Sequence, residues 1–205
     1  SGLPNRTYFK DLVRSIIQKS PLESYAAFFV IDIDDFKHVN DSFGHPVGDE
    51  LLCRLADRIN LISGPDTCFS RFGGDEFVGM LAGFETAADA ETAARQTLMS
   101  LAGTYEVASQ SLAVTISSGI VINRSHAFDL QQMMIKSDLA LYESKVRGKG
   151  ISTLFAEAMD ERYQKRQRLK ADLKKAIRDR HLNVLYQTII KAGTMRIASC
   201  EALCR

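Results

Sequence analysis

Two short acidic segments stand out as groups that can do chemistry: Asp32-Ile33-Asp34-Asp35 and Gly73-Gly74-Asp75-Glu76. The first ends an almost continuous apolar run, Tyr25-Ala26-Ala27-Phe28-Phe29-Val30-Ile31, and the second lies between two strand-like segments. Carboxylates at the end of an apolar strand are costly unless paired or bound to a cation. If the two strands are neighbours, Asp32 and Asp75 converge. Hard oxygen ligands beside an open, glycine-lined turn suit Mg²⁺, which takes one or two carboxylates plus substrate phosphates. Gly73 and Gly74 remove side-chain bulk and let backbone N–H groups approach a phosphate. The spacing alone is equally compatible with a strand-end acidic turn beside an ordinary hairpin.

The elements that must position these groups follow from hydrophobic periodicity. A helix is predicted over 7–19, with Phe9, Leu12, Val13, Ile16 and Ile17 on one face and Ser20-Pro21 as its stop. The run 25–32 reads as a strand buried on both faces. A helical pattern starts near Phe36, is interrupted at Gly44 and Gly48, and resumes to Leu61 with Leu51, Leu52, Leu55, Ala56 and Ile59 inward. Strands are predicted over 67–72 and 76–81, joined by a tight turn. A helix over 86–101, a β-branched strand over 112–123 with a bulge at Gly119, a helix over 129–147 and a short strand over 151–155 complete the pattern. Helices alternate with strands that are partly hairpin-connected. That favours an α/β fold of the α+β kind, a mixed or antiparallel sheet with helices packed on it, over a doubly wound parallel sheet. A basic linker helix over 156–180 and a hairpin over 182–205, turning at Lys191-Ala192-Gly193-Thr194, follow it.

Composition narrows the classes. The 205 residues (22.8 kDa) are 45% hydrophobic and 25% charged with a net charge of +1, which excludes disorder and offers no global field for nucleic acid. The total hides a shift: residues 1–144 carry 11 basic and 19 acidic side chains, whereas 145–180 carry 12 and 5. The basic block reads as a solvated helical face. No apolar run approaches the roughly 18 residues that span a bilayer, and no membrane contact is expected of this segment. The start, Ser1-Gly2-Leu3-Pro4-Asn5-Arg6, lacks a signal-peptide layout and reads like the interior of a longer protein. Cys53, Cys68, Cys200 and Cys204 are too scattered for a disulfide framework and read as thiols of a reducing compartment.

The words themselves go further than the spacing. Arg71-Phe72-Gly73-Gly74-Asp75-Glu76-Phe77 resembles the signature of the GGDEF family, the diguanylate cyclases. The resemblance continues in order through Gly2-Leu3-Pro4-Asn5-Arg6, Asp32-Ile33-Asp34-Asp35-Phe36-Lys37-His38-Val39-Asn40-Asp41, Phe43-Gly44-His45-Pro46-Val47-Gly48-Asp49 and Ser137-Asp138-Leu139-Ala140-Leu141-Tyr142-Glu143-Ser144-Lys145. It covers residues 1–155. It implies a nucleotidyl-cyclase or polymerase-palm fold, a central, mostly antiparallel sheet flanked by helices, and the condensation of two GTP molecules into cyclic di-GMP with release of pyrophosphate. Two domains each bring one GTP, so a homodimer is implied for turnover.

The resemblance also implies roles. Asp32, the Ile33 carbonyl and Asp75 would hold Mg²⁺ (or Mn²⁺), with Glu76 beside them; either Asp75 or Glu76 would accept the proton. Asn40 and Asp49 would read the guanine edge, Asp49 accepting from the N1–H and N2–H₂ donors. Phe36, Lys37 and His45 would line the base or triphosphate pocket, Gly73 and Gly74 would admit the phosphates, and Lys145 and Lys149 would hold them as point charges. Phe36 reads equally as core and His45 equally as a turn residue. Asp34 reads as a surface or helix-cap residue.

Two departures from the family pattern stand out. The Arg-x-x-Asp product-inhibition motif is replaced by Gly64 and Thr67, so feedback through that site is not implied. The usual Gly-Arg-Asn or Gly-Lys-Asn is Gly148-Lys149-Gly150 here.

Residues 182–205 resemble the opening of an EAL domain, the cyclic di-GMP phosphodiesterase family. Glu201-Ala202-Leu203 matches its name motif and Tyr186-Gln187 its first strand, with Thr188 where proline is usual. There Glu201 would be a metal ligand, but its co-ligands lie beyond residue 205 and no phosphodiesterase activity is implied for this piece. The implied organisation is a cyclase domain over 1–155, a linker helix over 156–181 and the start of an EAL domain over 182–205, in a cytoplasmic segment of a tandem signalling protein whose upstream part is open to membrane anchoring. The alternative is a silent GTP-binding module that regulates a phosphodiesterase in cis.

Overall fold

The computed structural model describes residues 2–179 and 181–204. It resolves into two compact units, one ending at Met159 and one starting at Asp160. The predicted helix end at Arg180 and the last hairpin residue, Arg205, lie outside the described residues.

The first unit is built on a five-stranded sheet in the order β2-β3-β1-β6-β7. Its strands are β1 (Tyr25–Ile33), β2 (Thr67–Gly73), β3 (Glu76–Phe84), β6 (Ile116–Arg124) and β7 (Ser152–Leu154). All neighbours are antiparallel except β6 and β7, which run parallel. A separate hairpin, β4 (Gly103–Val107) with β5 (Gln110–Val114), stands outside this sheet.

Side-chain alternation along β1 divides the core into two layers. Ala27, Phe29, Ile31 and Ile33 face α3 (His45–Ile62) and α4 (Ala87–Leu101), packing with Leu51, Leu55, Ile59, Ala94 and Leu98. Ala26, Phe28 and Val30 face α1 (Arg6–Lys19) and α5 (Leu130–Val146), packing with Phe9, Val13, Ile16, Met133 and Leu141. Both faces of β1 are thus covered, which is why its sequence is apolar without alternation. Helix starts are set by side-chain caps: Asn5 accepts from the Tyr8 N–H of α1, Thr86 from Asp89 of α4, and Asp129 from Gln132 of α5.

Three expectations are corrected. Gly48 does not interrupt a helix; only Gly44 does, separating α2 (Phe36–Phe43) from α3, and Gly48 lies buried within α3. Gly119 is not a bulge. Its register to Val30 is continuous, and it is glycine because a Cβ there would stand 1.9 Å from the Ser137 carbonyl oxygen and 2.4 Å from the Leu141 nitrogen of α5. The predicted strand over 112–123 is two strands broken at Thr115, with β4 unforeseen.

The second unit contains most of α6 (Ala158–Arg178) and the hairpin of β8 (Val184–Lys191) with β9 (Arg196–Cys204). Every residue of β8 is exposed. Cys53, Cys68 and Cys200 are free thiols, and burial pushes the Cys68 thiol up to about 12. No helix among the described residues is long and apolar enough to cross a membrane.

Candidate functional site

The end of β1 delivers Asp32 to the sheet face covered by α1 and α5, directly between Glu76 of β3 and Ser117 of β6. Cross-strand partners in an antiparallel pair point to the same side, so Asp32 and Glu76 share one face. Asp75 precedes Glu76 in the turn, and its charge reaches Asp32. The turn itself is Gly73-Gly74-Asp75, with Gly73 and Gly74 at φ of 155° and 52°. Arg71, which sequence reasoning passed over, pins the turn by donating from Nε to the Gly74 carbonyl at 2.9 Å. Phe77 points the other way and is fully buried in the core.

Helix α5 supplies the counter-charge. Lys145 donates from Nζ to Asp32 Oδ2 at 2.6 Å; the Asp32 side chain is 11% exposed and that of Lys145 41%. Burial pushes the Asp32 carboxyl above its ordinary range. The Lys145 hydrogen bond and charge oppose that shift, and the charges of Asp75 and Asp34 add to it. The neighbouring Asp138 carboxyl is also raised, by desolvation and then by the charge of Glu76. Glu76, Asp138, Tyr142 and Lys145 line a cleft of about 430 Å³ with Arg6 and Phe72.

Asp34 corrects the sequence expectation. It is neither a surface group nor a helix cap: it is 8% exposed and accepts from the Ser117 hydroxyl at 2.7 Å, the Thr115 hydroxyl at 3.0 Å and the Gly150 N–H at 2.9 Å. Period-two alternation from Asp32 puts it on the same side of the extended chain, and that was the available signal. Asp35 begins α2 in a left-handed conformation and accepts from Lys149 Nζ at 2.7 Å. That contact holds the Asp35 carboxyl below its usual range and the Lys149 ammonium above its own.

A second group forms where α2 meets α3. Phe36 is buried in the core layer, and Gly48 faces both it and Asn40. A Cβ at Gly48 would fall 2.0 Å from Asn40 Oδ1 and 3.2 Å from Phe36 Cζ. Asn40 Oδ1 is buried and has no hydrogen-bond partner among the described residues. A buried acceptor left unpaired is a place for a ligand's donor. Asp49 follows Gly48 and is exposed. Lys37 and His45 are exposed on α2 and at the start of α3; neither is hydrogen-bonded to the acidic group at the sheet end.

The structure thus brings together Asp32, Asp75, Glu76 and Lys145, and separately Phe36 and Asn40, while Lys149 joins Asp35 beside the first group. No cluster of three or more His, Cys, Asp or Glu side chains that could hold a metal occurs among the described residues. The carboxylates at the sheet end, Asp32 and Asp75, are hard oxygen donors of the kind Mg²⁺ takes together with water and phosphate. The desolvated Asp32 carboxylate fits it as well, since a cation would offset the charge that burial disfavours.

The chain matches the family profile described as diguanylate cyclase, GGDEF domain, over residues 1–150. It is 32% identical over 205 residues to MucR of Pseudomonas aeruginosa, named a bifunctional diguanylate cyclase/cyclic di-GMP phosphodiesterase, covering 99% of this chain and 30% of that protein. It is 31% identical over 206 residues to PdeR of Escherichia coli, named a cyclic di-GMP phosphodiesterase, covering all of this chain and 31% of PdeR. The chain therefore spans about a third of the length of these curated relatives. The solved structure of an N-terminally truncated TpbB (YfiN) from Pseudomonas aeruginosa, comprising only its GGDEF domain, superposes with a TM-score of 0.70 at 28% identity, covering 79% of this chain and 95% of that one. Profile, relatives and fold agree with one another, and the chain belongs to the GGDEF family of diguanylate cyclase domains.

Proposed function

We propose that residues 1–155 bind GTP with Mg²⁺ (or Mn²⁺) and, as a homodimer, condense two GTP molecules into cyclic di-GMP. Each 3′-hydroxyl attacks the α-phosphorus of the other nucleotide, a P–O bond forms, and pyrophosphate leaves with the electron pair of the broken bond. Asp32, the Ile33 carbonyl and Asp75 hold the metal. Bound there, it offsets phosphate charge and lowers the pKa of the attacking hydroxyl. Glu76 or Asp75 accepts the proton. Lys145 and Lys149 exchange their present carboxylate partners for phosphate oxygens, and Gly73 and Gly74 leave the phosphates room. Asn40 and Asp49 select guanine over adenine; Phe36 backs Asn40, and Lys37 and His45 flank the opening.

The observation that carries this reading is the desolvated Asp32 carboxylate, which feels the charge of Asp75 and is joined by its strand partner Glu76 and its ion-pair partner Lys145 to the cleft those two line. The unpartnered Asn40 oxygen supports the guanine end. Chromatography of products from GTP and Mg²⁺, with the chain free and with it fused to a dimerising coiled coil, tests the reaction. Cyclic di-GMP is expected, with a rate per protomer that rises on forced dimerisation. A forced dimer that binds GTP but releases no cyclic product contradicts turnover.

That second outcome would favour a GTP-binding module that regulates a phosphodiesterase in cis. The match to PdeR through residue 205 supports such a context. So does the segment Glu201-Ala202-Leu203 in β9, read as the start of an EAL domain after a linker over 156–181. A GTP substrate is consistent with a cytoplasmic location.

A further inference from the structure

We propose that Asp34 is a positioning residue: it fastens the turn that carries Lys149, and so sets where that ammonium meets the nucleotide's terminal phosphates. The inference rests on the nucleotide reading above and adds a residue to it.

Both Asp34 oxygens are engaged by hydroxyl and amide donors: Ser117 on Oδ1, Thr115 and Gly150 on Oδ2. The Gly150 N–H is shared with Ser117 Oγ at 3.2 Å. The Asp34 N–H donates to the Thr115 carbonyl at 3.0 Å, which locks the acidic segment to the start of β6. A carboxylate so fully engaged is not free to ligate a metal. It works as an anchor between two strand ends and the segment that follows α5.

That segment has an unusual backbone. Gly148, Lys149 and Gly150 have φ of 120°, 65° and 63°, so Lys149 sits in the left-handed region between two glycines. A lysine keeps such a conformation only where its surroundings fix it. Besides the ammonium's own bond to Asp35, two backbone donors of this segment are held. One is the Lys149 N–H to the Ser144 carbonyl at 3.2 Å, which closes the α5 C-terminus. The other is the Gly150 N–H to Asp34. The second reaches across from the acidic strand end, so the ammonium's origin is tied to the segment that places Asp32. The left-handed residue at position 150 also explains the replacement of the family's asparagine: Asn and Gly are the residue types that reach that region at low cost.

The test is a double-mutant cycle on the full chain, read by calorimetric titration of GTP and of GMP in Mg²⁺. Asp34→Asn keeps the shape but weakens the charge-assisted bond to Gly150. It is expected to weaken GTP about tenfold and GMP less than about twofold. In a Lys149→Ala background the further loss is expected to fall below about twofold, because the affected cation is already gone. Gly150→Asn is expected to retain GTP affinity and Gly150→Val to lose it selectively, which keeps the test open if Asp34→Asn does not fold. The Gly150 amide, followed by NMR without nucleotide, is expected to exchange faster in Asp34→Asn. Equal losses for GTP and GMP, a loss undiminished by Lys149→Ala, or an unchanged Gly150 amide overturns the inference alone. Absence of GTP binding by the wild-type chain overturns the nucleotide reading and this inference with it.

Discussion

Asp32 is a buried carboxyl at the end of β1, paired with Lys145. Burial is the largest influence on its carboxyl and raises its pKa above the ordinary value of 3.8, despite the Lys145 bond. As pH falls, the native chain takes up this proton before the unfolded chain does, so the group's contribution to stability improves toward acid and is unfavourable above the raised pKa. Asp32→Asn removes the unfavourable contribution. The variant is expected to melt no earlier than wild type at pH 7, with any advantage closing as the pH approaches 3.8. It is also expected to lose metal-dependent nucleotide binding. Scanning calorimetry over a pH series checks the first, and a variant that melts well below wild type at neutral pH would mean that the Lys145 pair is a net stabiliser. The same residue scale shows what was legible and what was not. Asp32, Asp75 and Glu76 were visible as acids at predicted strand ends. Asp34 was misjudged because a charged residue next to a helix start is most often a cap, and only the donors Thr115 before β6, Ser117 of β6 and Gly150 after α5 show how it is held.

At the scale of elements, the site depends on how closely α5 lies on β6, since α5 carries Lys145 and leads into Lys149. Gly119 sets that approach. Gly119→Ala forces a methyl group into the Ser137 and Leu141 backbone, where no side chain can yield. The expected cost is about 3 kcal/mol in urea unfolding, with GTP affinity reduced alongside. A loss below about 1 kcal/mol would mean that α5 shifts easily and does not fix the lysines. Sequence periodicity found β1, β2, β3, α3 and α5 because each buries a long or regular apolar face. It missed β4 and merged β5 with β6. The β4–β5 turn is Ala108-Ser109, with both residues at positive φ, where a recognisable hairpin would carry Asn-Gly or Asp-Gly. Nothing in the residue types at Thr115 announces the break before β6. Gly119 was read as a bulge because a strand glycine signals either a bulge or a close backbone approach, and only the partner helix distinguishes them.

At the scale of the whole molecule, the two units differ in how they are held. The unit up to Met159 encloses two apolar layers on one sheet. In the unit from Asp160, β8 and most of β9 are exposed, with Val184, Leu185, Tyr186, Ile189 and Ile197 open to solvent. A lone two-stranded hairpin is marginal in water. A chain ending at Met159 is therefore expected to unfold in urea within about 0.5 kcal/mol of the full chain, and the β8–β9 amides of the full chain to exchange far faster than those of β1. A truncated chain that does not fold cooperatively would contradict that independence.

The central claim is that the acidic sheet end and the Asn40 pocket together hold a guanine nucleotide through a metal. The most direct measurement is calorimetric titration of the chain with GTP and with ATP, with and without Mg²⁺, beside the Asp75→Ala variant. The account predicts binding of GTP that is at least about tenfold tighter than ATP, and that is lost without Mg²⁺ and in Asp75→Ala. Equal affinity for ATP, or GTP binding indifferent to both the metal and Asp75, would contradict it.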